Sequence, residues 1–201
     1  MQRYDDKTAL LVIDVQNDFA DPNGSLSVAG GAALIPRINT EISKATSAGA
    51  LVVATQDWHP ESTPHFAKDG GVWPVHCVGG TWGAELHPDL EMPSDAPHIR
   101  KGTGGEDGYS GFSMRDPVSG EERSTGLDAL LKERGVERVV IMGLATDYCV
   151  QASVLDAARL GYVTAVLTDL CAPVNLKPGD GARAEEMMRE AGVQMWQTRM
   201  R

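Results

Sequence analysis

The 201-residue chain has only three cysteines, Cys77, Cys149 and Cys171, and no two of them form a C-x-x-C pair. This excludes a disulfide framework and a cysteine-type zinc site, and it makes a reducing compartment the simpler reading. Basic residues are also scarce: 18 Lys+Arg stand against 28 Asp+Glu, a formal charge of −10, with a pI near 4.9. A nucleic-acid backbone or an anionic membrane surface would require a basic face, so neither is expected as a partner. No apolar run approaches the roughly 18 residues of a membrane span. The first seven residues, MQRYDDK, carry acids where a signal peptide has a positive start followed by an apolar run. The expectation is a soluble cytoplasmic protein, one domain over residues 1–201.

Short apolar runs alternate with helix-period segments, the pattern of a parallel sheet covered on both faces by helices. Thr8–Val15 is almost continuously apolar, as a strand buried on both sides requires. Residues 31–48 place Ala33, Leu34, Ile38, Ile42 and Ala45 at helical spacing before Gly49. Strands are predicted at Leu51–Thr55, His98–Lys101, Arg138–Met142, Tyr162–Thr168 and, at an edge, Val193–Trp196. Helices are predicted at Leu127–Arg134, from about Tyr148 to Leu160, and at Ala182–Ala191. The fold class is therefore three-layer α/β/α with a mostly parallel six-stranded central sheet.

Residues 57–97 interrupt this rhythm. They hold six of the eleven prolines and three of the four tryptophans, and all five histidines lie between positions 59 and 98. So long a stretch without periodicity is a functional loop or a disordered one, and its aromatic content argues for order. The run GTGGEDGYSGF after Lys101 fits neither phosphate-binding glycine pattern; a lid or substrate loop is the better reading.

Ligands of open α/β sheets sit beyond the carboxyl ends of the strands, and four unusual features fall there. Asp14 closes the first strand, Asp57 follows the second, Lys101 closes the third, and Leu144–Cys149 follows the fourth. Cys149 sits where a helix begins, and backbone N–H groups there favour a thiolate and lower the thiol pKa. A lone cysteine also serves as a small buried hydrophobe, and both readings stand at this point. Asp14 needs a partner at an apolar strand end, and Lys101 is the candidate; a solvated strand end is the plainer alternative. Asp57 and His59 fall on one side of an extended segment, and with His65 and His76 they form a ligand-like set suited to zinc, iron or manganese, although single loop histidines are commonly just exposed. His87 and His98 lack a matching partner, and Cys77 and Cys171 are read as structural. Phe19, Trp58 and Trp73 flank these groups as candidate walls of an aromatic pocket, or as ordinary core.

At these residues the chain resembles the nicotinamidase/pyrazinamidase family of isochorismatase-like cysteine hydrolases, whose fold is Rossmann-type. The matching segments are ALLVIDVQNDF, TQDWHPESTPHF, WPVHCVGGTWGAELHP, RKGTGGEDGYSGF and VVIMGLATDYCVQASVLDA, in the family's order and over most of the chain. The resemblance implies a catalytic triad of Asp14, Lys101 and Cys149. It implies one divalent transition metal held by Asp57, His59, His65 and His76, and a ring pocket involving Phe19, Trp73 and Tyr109. It further implies an oxyanion hole from the N–H groups of Ala145 and Cys149, with a cis peptide between Leu144 and Ala145. The implied substrate is a small aromatic amide: nicotinamide, deamidated through a thioester in NAD salvage, and pyrazinamide. Tyr148 stands where many relatives carry histidine. Other readings are an amidase of the same superfamily acting on a carbamoyl or ureido group, isochorismatase itself, a non-catalytic ligand-binding relative, and a redox thiol protein. The last would want a second cysteine close to Cys149 in sequence. The oligomeric state is left open, a homo-oligomer included.

Overall fold

A computed structural model describes residues 3–198. The central sheet has six strands, all paired in parallel. The chain enters through β1 (Thr8–Ile13), a single turn α1 (Asn17–Ala20), the long helix α2 (Gly31–Ser47) and β2 (Leu51–Asp57). After a long irregular stretch come β3 (His98–Lys101), a hairpin of β4 (Ser113–Arg115) and β5 (Glu122–Ser124), and α3 (Leu127–Glu133). β6 (Arg138–Leu144), α4 (Gln151–Arg159), β7 (Val163–Ala172), α5 (Asp180–Glu190) and β8 (Gln194–Trp196) complete it. The spatial order is β3-β2-β1-β6-β7-β8. The chain thus lays strands outward on one side of β1, then returns to build the other side.

The period-2 alternation of a strand divides the central apolar runs between two cores. Leu10 and Val12 of β1, with Val140 and Met142 of β6, face Ile35, Ile38, Ile42 and Ala45 of α2. Ala9, Leu11 and Ile13, with Val139 and Ile141, face Leu127 and Leu131 of α3, Val154 and Ala157 of α4 and Met188 of α5. Every residue of β1 is buried, which is why its sequence shows no polar face. At about 1.5–3 kcal/mol for each large side chain removed from water, this two-sided burial fixes the sheet on which the polar groups are mounted.

The sheet differs from the sequence expectation at its carboxyl edge. β1 stops at Ile13, so Asp14 is the first residue beyond it, with φ 49°. β2 and β6 run two residues further than expected, and β7 runs to Ala172. The β4–β5 hairpin was not anticipated, because three-residue strands with mixed polar sequence carry no readable alternation. Gly143 lies at a register shift between β6 and β7, with φ +121°. A Cβ there would meet the Ile13 carbonyl oxygen at 2.2 Å. Gly143→Ala is therefore expected to cost at least about 2 kcal/mol of stability and to lower Tm by about 4 °C or more, read by thermal denaturation; an unchanged Tm would show that the strands separate there freely.

Candidate active site

Between β1 and β6 the strand order reverses direction, and the crevice beyond their carboxyl ends is where a doubly wound sheet binds ligands. Asp14 lies at one lip of that crevice and Cys149 at the other. Lys101, the last residue of β3, reaches in with its side chain fully buried. Its Nζ donates to Asp14 Oδ2 at 2.6 Å, to Asp57 Oδ1 at 2.7 Å, to the Tyr109 carbonyl at 3.2 Å and to the Gly108 carbonyl. Burial by itself would lower the lysine pKa, but Asp14 and Asp57 outweigh it and hold the ammonium well above its ordinary value. Asp57 is depressed below the usual carboxylate range: burial pushes it up, and Lys101 together with His59 and His76 pulls it further down. Asp14 moves the other way. Its burial is complete and Asp57 lies close by, so its carboxyl is raised despite Lys101. Thr55 Oγ1 donates to Asp14 Oδ1 at 2.5 Å and accepts from the Asp14 N–H at 3.2 Å, which orients the group.

Cys149 lies in a π-helical turn, Thr146–Val150, that leads into α4. The Leu144–Ala145 peptide is cis, as the resemblance implies, and the Ala145 carbonyl accepts from the N–H groups of Tyr148 and Val150. One ligand atom each of Asp14, Asp57 and Cys149 lies within 4.8 Å of the others. The expected lowering of the thiol pKa is not what the surroundings produce. Cys149 is raised well above an ordinary thiol, because burial dominates and the two carboxylates oppose the pull of Lys101. The partial charge of a helical turn is thus outweighed by the depth of burial and the two nearby carboxyl groups.

On the far side of Asp57 stand three buried histidines, His59, His65 and His76, whose ligand nitrogens lie within 4.8 Å of one another. Asp57 Oδ2 faces His59 Nε2 at 3.6 Å and His76 Nε2 at 3.8 Å, so the carboxylate serves Lys101 with one oxygen and the imidazoles with the other. Both ring nitrogens of His59 are buried without a hydrogen-bond partner. His76 Nδ1 lies 2.7 Å from the Pro74 carbonyl, a contact that makes Nδ1 the protonated nitrogen and leaves Nε2 free to face inward. Orphaned imidazole nitrogens converging on a carboxylate are the donor set of a divalent transition metal, and these four residues fit one. The glycine-rich loop closes over them: Gly102, at φ +72°, sits so close that a Cβ would fall 2.6 Å from the His59 ring.

A narrow cavity opens from this centre, walled by Phe19, Trp73, Tyr109 and Tyr148, with Asp57, His65, His76, Ala145 and Cys149 at its base. Trp73 Nε1 donates to the Tyr109 hydroxyl at 2.9 Å, and Tyr148 meets the Trp73 ring edge-on at 4.8 Å. Aromatic walls above a polar floor suit a flat ring carrying one reactive substituent. Larger surface depressions lie against α2 and at the amino ends of the strands, remote from these groups.

The sequence matches the isochorismatase domain family over residues 8–198. The chain belongs to that family. Among isochorismatase-family relatives, the nicotinamidase of Escherichia coli (strain K12) is 39% identical over 94% of this chain and 93% of its own length. The pyrazinamidase of Pyrococcus horikoshii, solved in complex with zinc, is 41% identical with a TM-score of 0.85, covering 96% of this chain and 99% of that one. A protein from L. infantum solved in complex with nicotinate is 38% identical with a TM-score of 0.87, covering 95% and 92%.

Within this isochorismatase-family chain every candidate site residue named in the sequence, except Trp58, is drawn to one centre. Trp58 instead packs beneath the Arg100 guanidinium, 3.7 Å from the ring centroid. Residues missed are those acting through the backbone or through packing. Gln16 Nε2 donates to the Asp57 carbonyl and its Oε1 accepts the Asp57 N–H, both at 2.8 Å. Thr55 orients Asp14, and Leu26 and Val174 complete the cavity wall. The signal for Gln16 and Thr55 was present: polar residues amid apolar strand ends are costly unless partnered.

Burial, with the neighbouring His59, lowers His65 to about 4, and burial lowers His76 as well. The unfolded chain titrates these groups near pH 6.5. Depressed groups contribute stability that is present above the unfolded pKa and lost as pH falls toward the folded one. Chelator-treated protein is thus expected to lose stability progressively from about pH 6.5 toward pH 4, followed by urea midpoints. His65→Gln should flatten the loss; an equally steep loss in that variant would assign it elsewhere.

Proposed function

We propose that this chain, as a single isochorismatase-like domain, is a metal-containing cysteine amidohydrolase that converts nicotinamide to nicotinic acid and ammonia, and takes pyrazinamide as a close analogue. The observation that carries this is the buried cluster in which Asp14, Lys101 and Cys149 meet beside the His59–His65–His76 set, in a chain with this degree of identity to a nicotinamidase. Asp14, whose carboxyl burial raises, is the acid close enough to Cys149 to exchange a proton with it. In this reading Asp14 takes the thiol proton, and Lys101 balances the charge while the sulfur attacks the amide carbon. The N–H groups of Ala145 and Cys149 receive the oxyanion; one such donor is worth on the order of 10²-fold in rate. Asp14 returns its proton to the departing ammonia, then takes a proton from water as water cleaves the thioester and frees the sulfur.

Asp57, His59, His65 and His76 would hold the metal, which would supply Lewis-acid chemistry at the base of the ring pocket. Zinc, iron and manganese all suit this donor set. Phe19, Trp73 and Tyr109 would stack around the ring. A cytoplasmic setting is supported by the acidic composition and the sparse cysteines. Among the described residues no helix is long and apolar enough to cross a membrane.

Cys149→Ala is expected to reduce ammonia release from nicotinamide by at least about 10⁴-fold while metal content, measured by elemental analysis, stays at the wild-type level. His59→Ala is expected to lose bound metal and raise KM. Turnover retained by the cysteine variant would overturn the covalent route, and full activity in metal-stripped enzyme would overturn the metal's role.

A further inference from the structure

Lys101 is held by two carboxylates and by two backbone carbonyls, those of Gly108 and Tyr109. The carbonyls belong to an irregular loop with positive φ at Gly102, Gly105 and Gly108. Such a loop has little intrinsic preference for one path, so its place must be fixed from outside. Thr125 Oγ1 donates to the Gly111 carbonyl at 2.6 Å, and two further anchors stand on α4, the helix that follows the nucleophile. Ser153 Oγ accepts the Gly111 N–H at 2.9 Å and donates to the Cys149 carbonyl at 2.7 Å, with the side chain wholly buried. Asp156 Oδ2 accepts the hydroxyls of Ser110 and Ser113, both at 2.7 Å. Ser153 and Asp156 lie one turn apart on α4, and Cys149 stands in the π-helical turn that leads into it. The Ser153 bond to the Cys149 carbonyl therefore joins the nucleophile's backbone to the loop that grips the ammonium.

We propose that Ser153 and Asp156 are positioning residues that lock the 108–113 loop to the helix that follows Cys149, so that the Gly108 and Tyr109 carbonyls keep Lys101 in register with Asp14 and the sulfur. The inference rests on the reading of Lys101 and Cys149 as a catalytic pair. Neither positioning side chain borders the ring cavity, so their loss falls on the chemical step rather than on substrate affinity.

The test uses the full-length, metal-loaded enzyme. Ser153→Ala is expected to lower kcat for nicotinamide at least tenfold with KM changed less than threefold. The rate of Cys149 alkylation by iodoacetamide should fall in parallel, while metal content and the circular dichroism spectrum hold. Asp156→Ala should behave likewise, and Asp156→Asn, which keeps an acceptor oxygen for the serine hydroxyls, should recover most of the loss. If Ser153→Ala and Asp156→Ala keep kcat and alkylation within twofold of wild type while Lys101→Met abolishes turnover, the proposal fails and the catalytic reading survives. If Asp156→Asn is as impaired as Asp156→Ala, the locking role is overturned. If Lys101→Met retains full turnover, the underlying reading fails first.

Discussion

An ammonium group with no access to water, gripped by two carboxylates, is the interaction on which the rest of this molecule depends. Lys101 would be intolerable in its position without Asp14 and Asp57, and each acid would be equally costly without the lysine; removing one member of such a buried pair typically costs about 3–5 kcal/mol. The three charges sum to −1, and that surplus sits beside the imidazole set. The histidine end of the cluster therefore invites a cation. Asp57 joins the two halves, dividing its oxygens between Lys101 and the histidines.

The sheet makes this arrangement reachable. β2, β1 and β6 are adjacent, so residues leaving their carboxyl ends emerge side by side although they lie far apart in the chain. The apolar double core beneath them leaves the strands no freedom to slip, since a shift of one residue would exchange the two buried faces. The long 57–97 stretch is set in place by short extended contacts, such as the His59–Val78 and Phe66–Trp73 bridges, and by bonds to the turn after β1, such as the Cys77 N–H to Asp18 Oδ2 at 2.7 Å.

Much of this was legible in the sequence because it rests on strong local signals. Continuous apolar runs announced the buried strands, and Asp14 and Lys101 stood out as charges at their ends. The histidines were conspicuous by their confinement to one segment. What escaped was whatever depends on the third dimension. Gln16 and Thr55 act through hydrogen bonds to residues some forty positions away, and no spacing rule encodes that. The direction of the Cys149 shift was misjudged because local helix geometry is readable in sequence whereas the depth of burial and the proximity of two acids are not. The glycine-rich loop read as a lid or substrate loop, and Tyr109 does wall the cavity; that its carbonyls also hold the lysine was not legible.

The placement of β1 has a consequence for how the chain comes into being. One flank of β1 is filled by β2, which follows within about fifty residues, but the other is filled by β6, which begins only at Arg138. On the ribosome, an almost wholly apolar strand must therefore wait with one edge unpaired until the 138–144 segment has been made, a state prone to sticking to other chains. The nucleophile emerges only after the strand that closes this gap. Chemical competence and relief of the exposed edge thus arrive together.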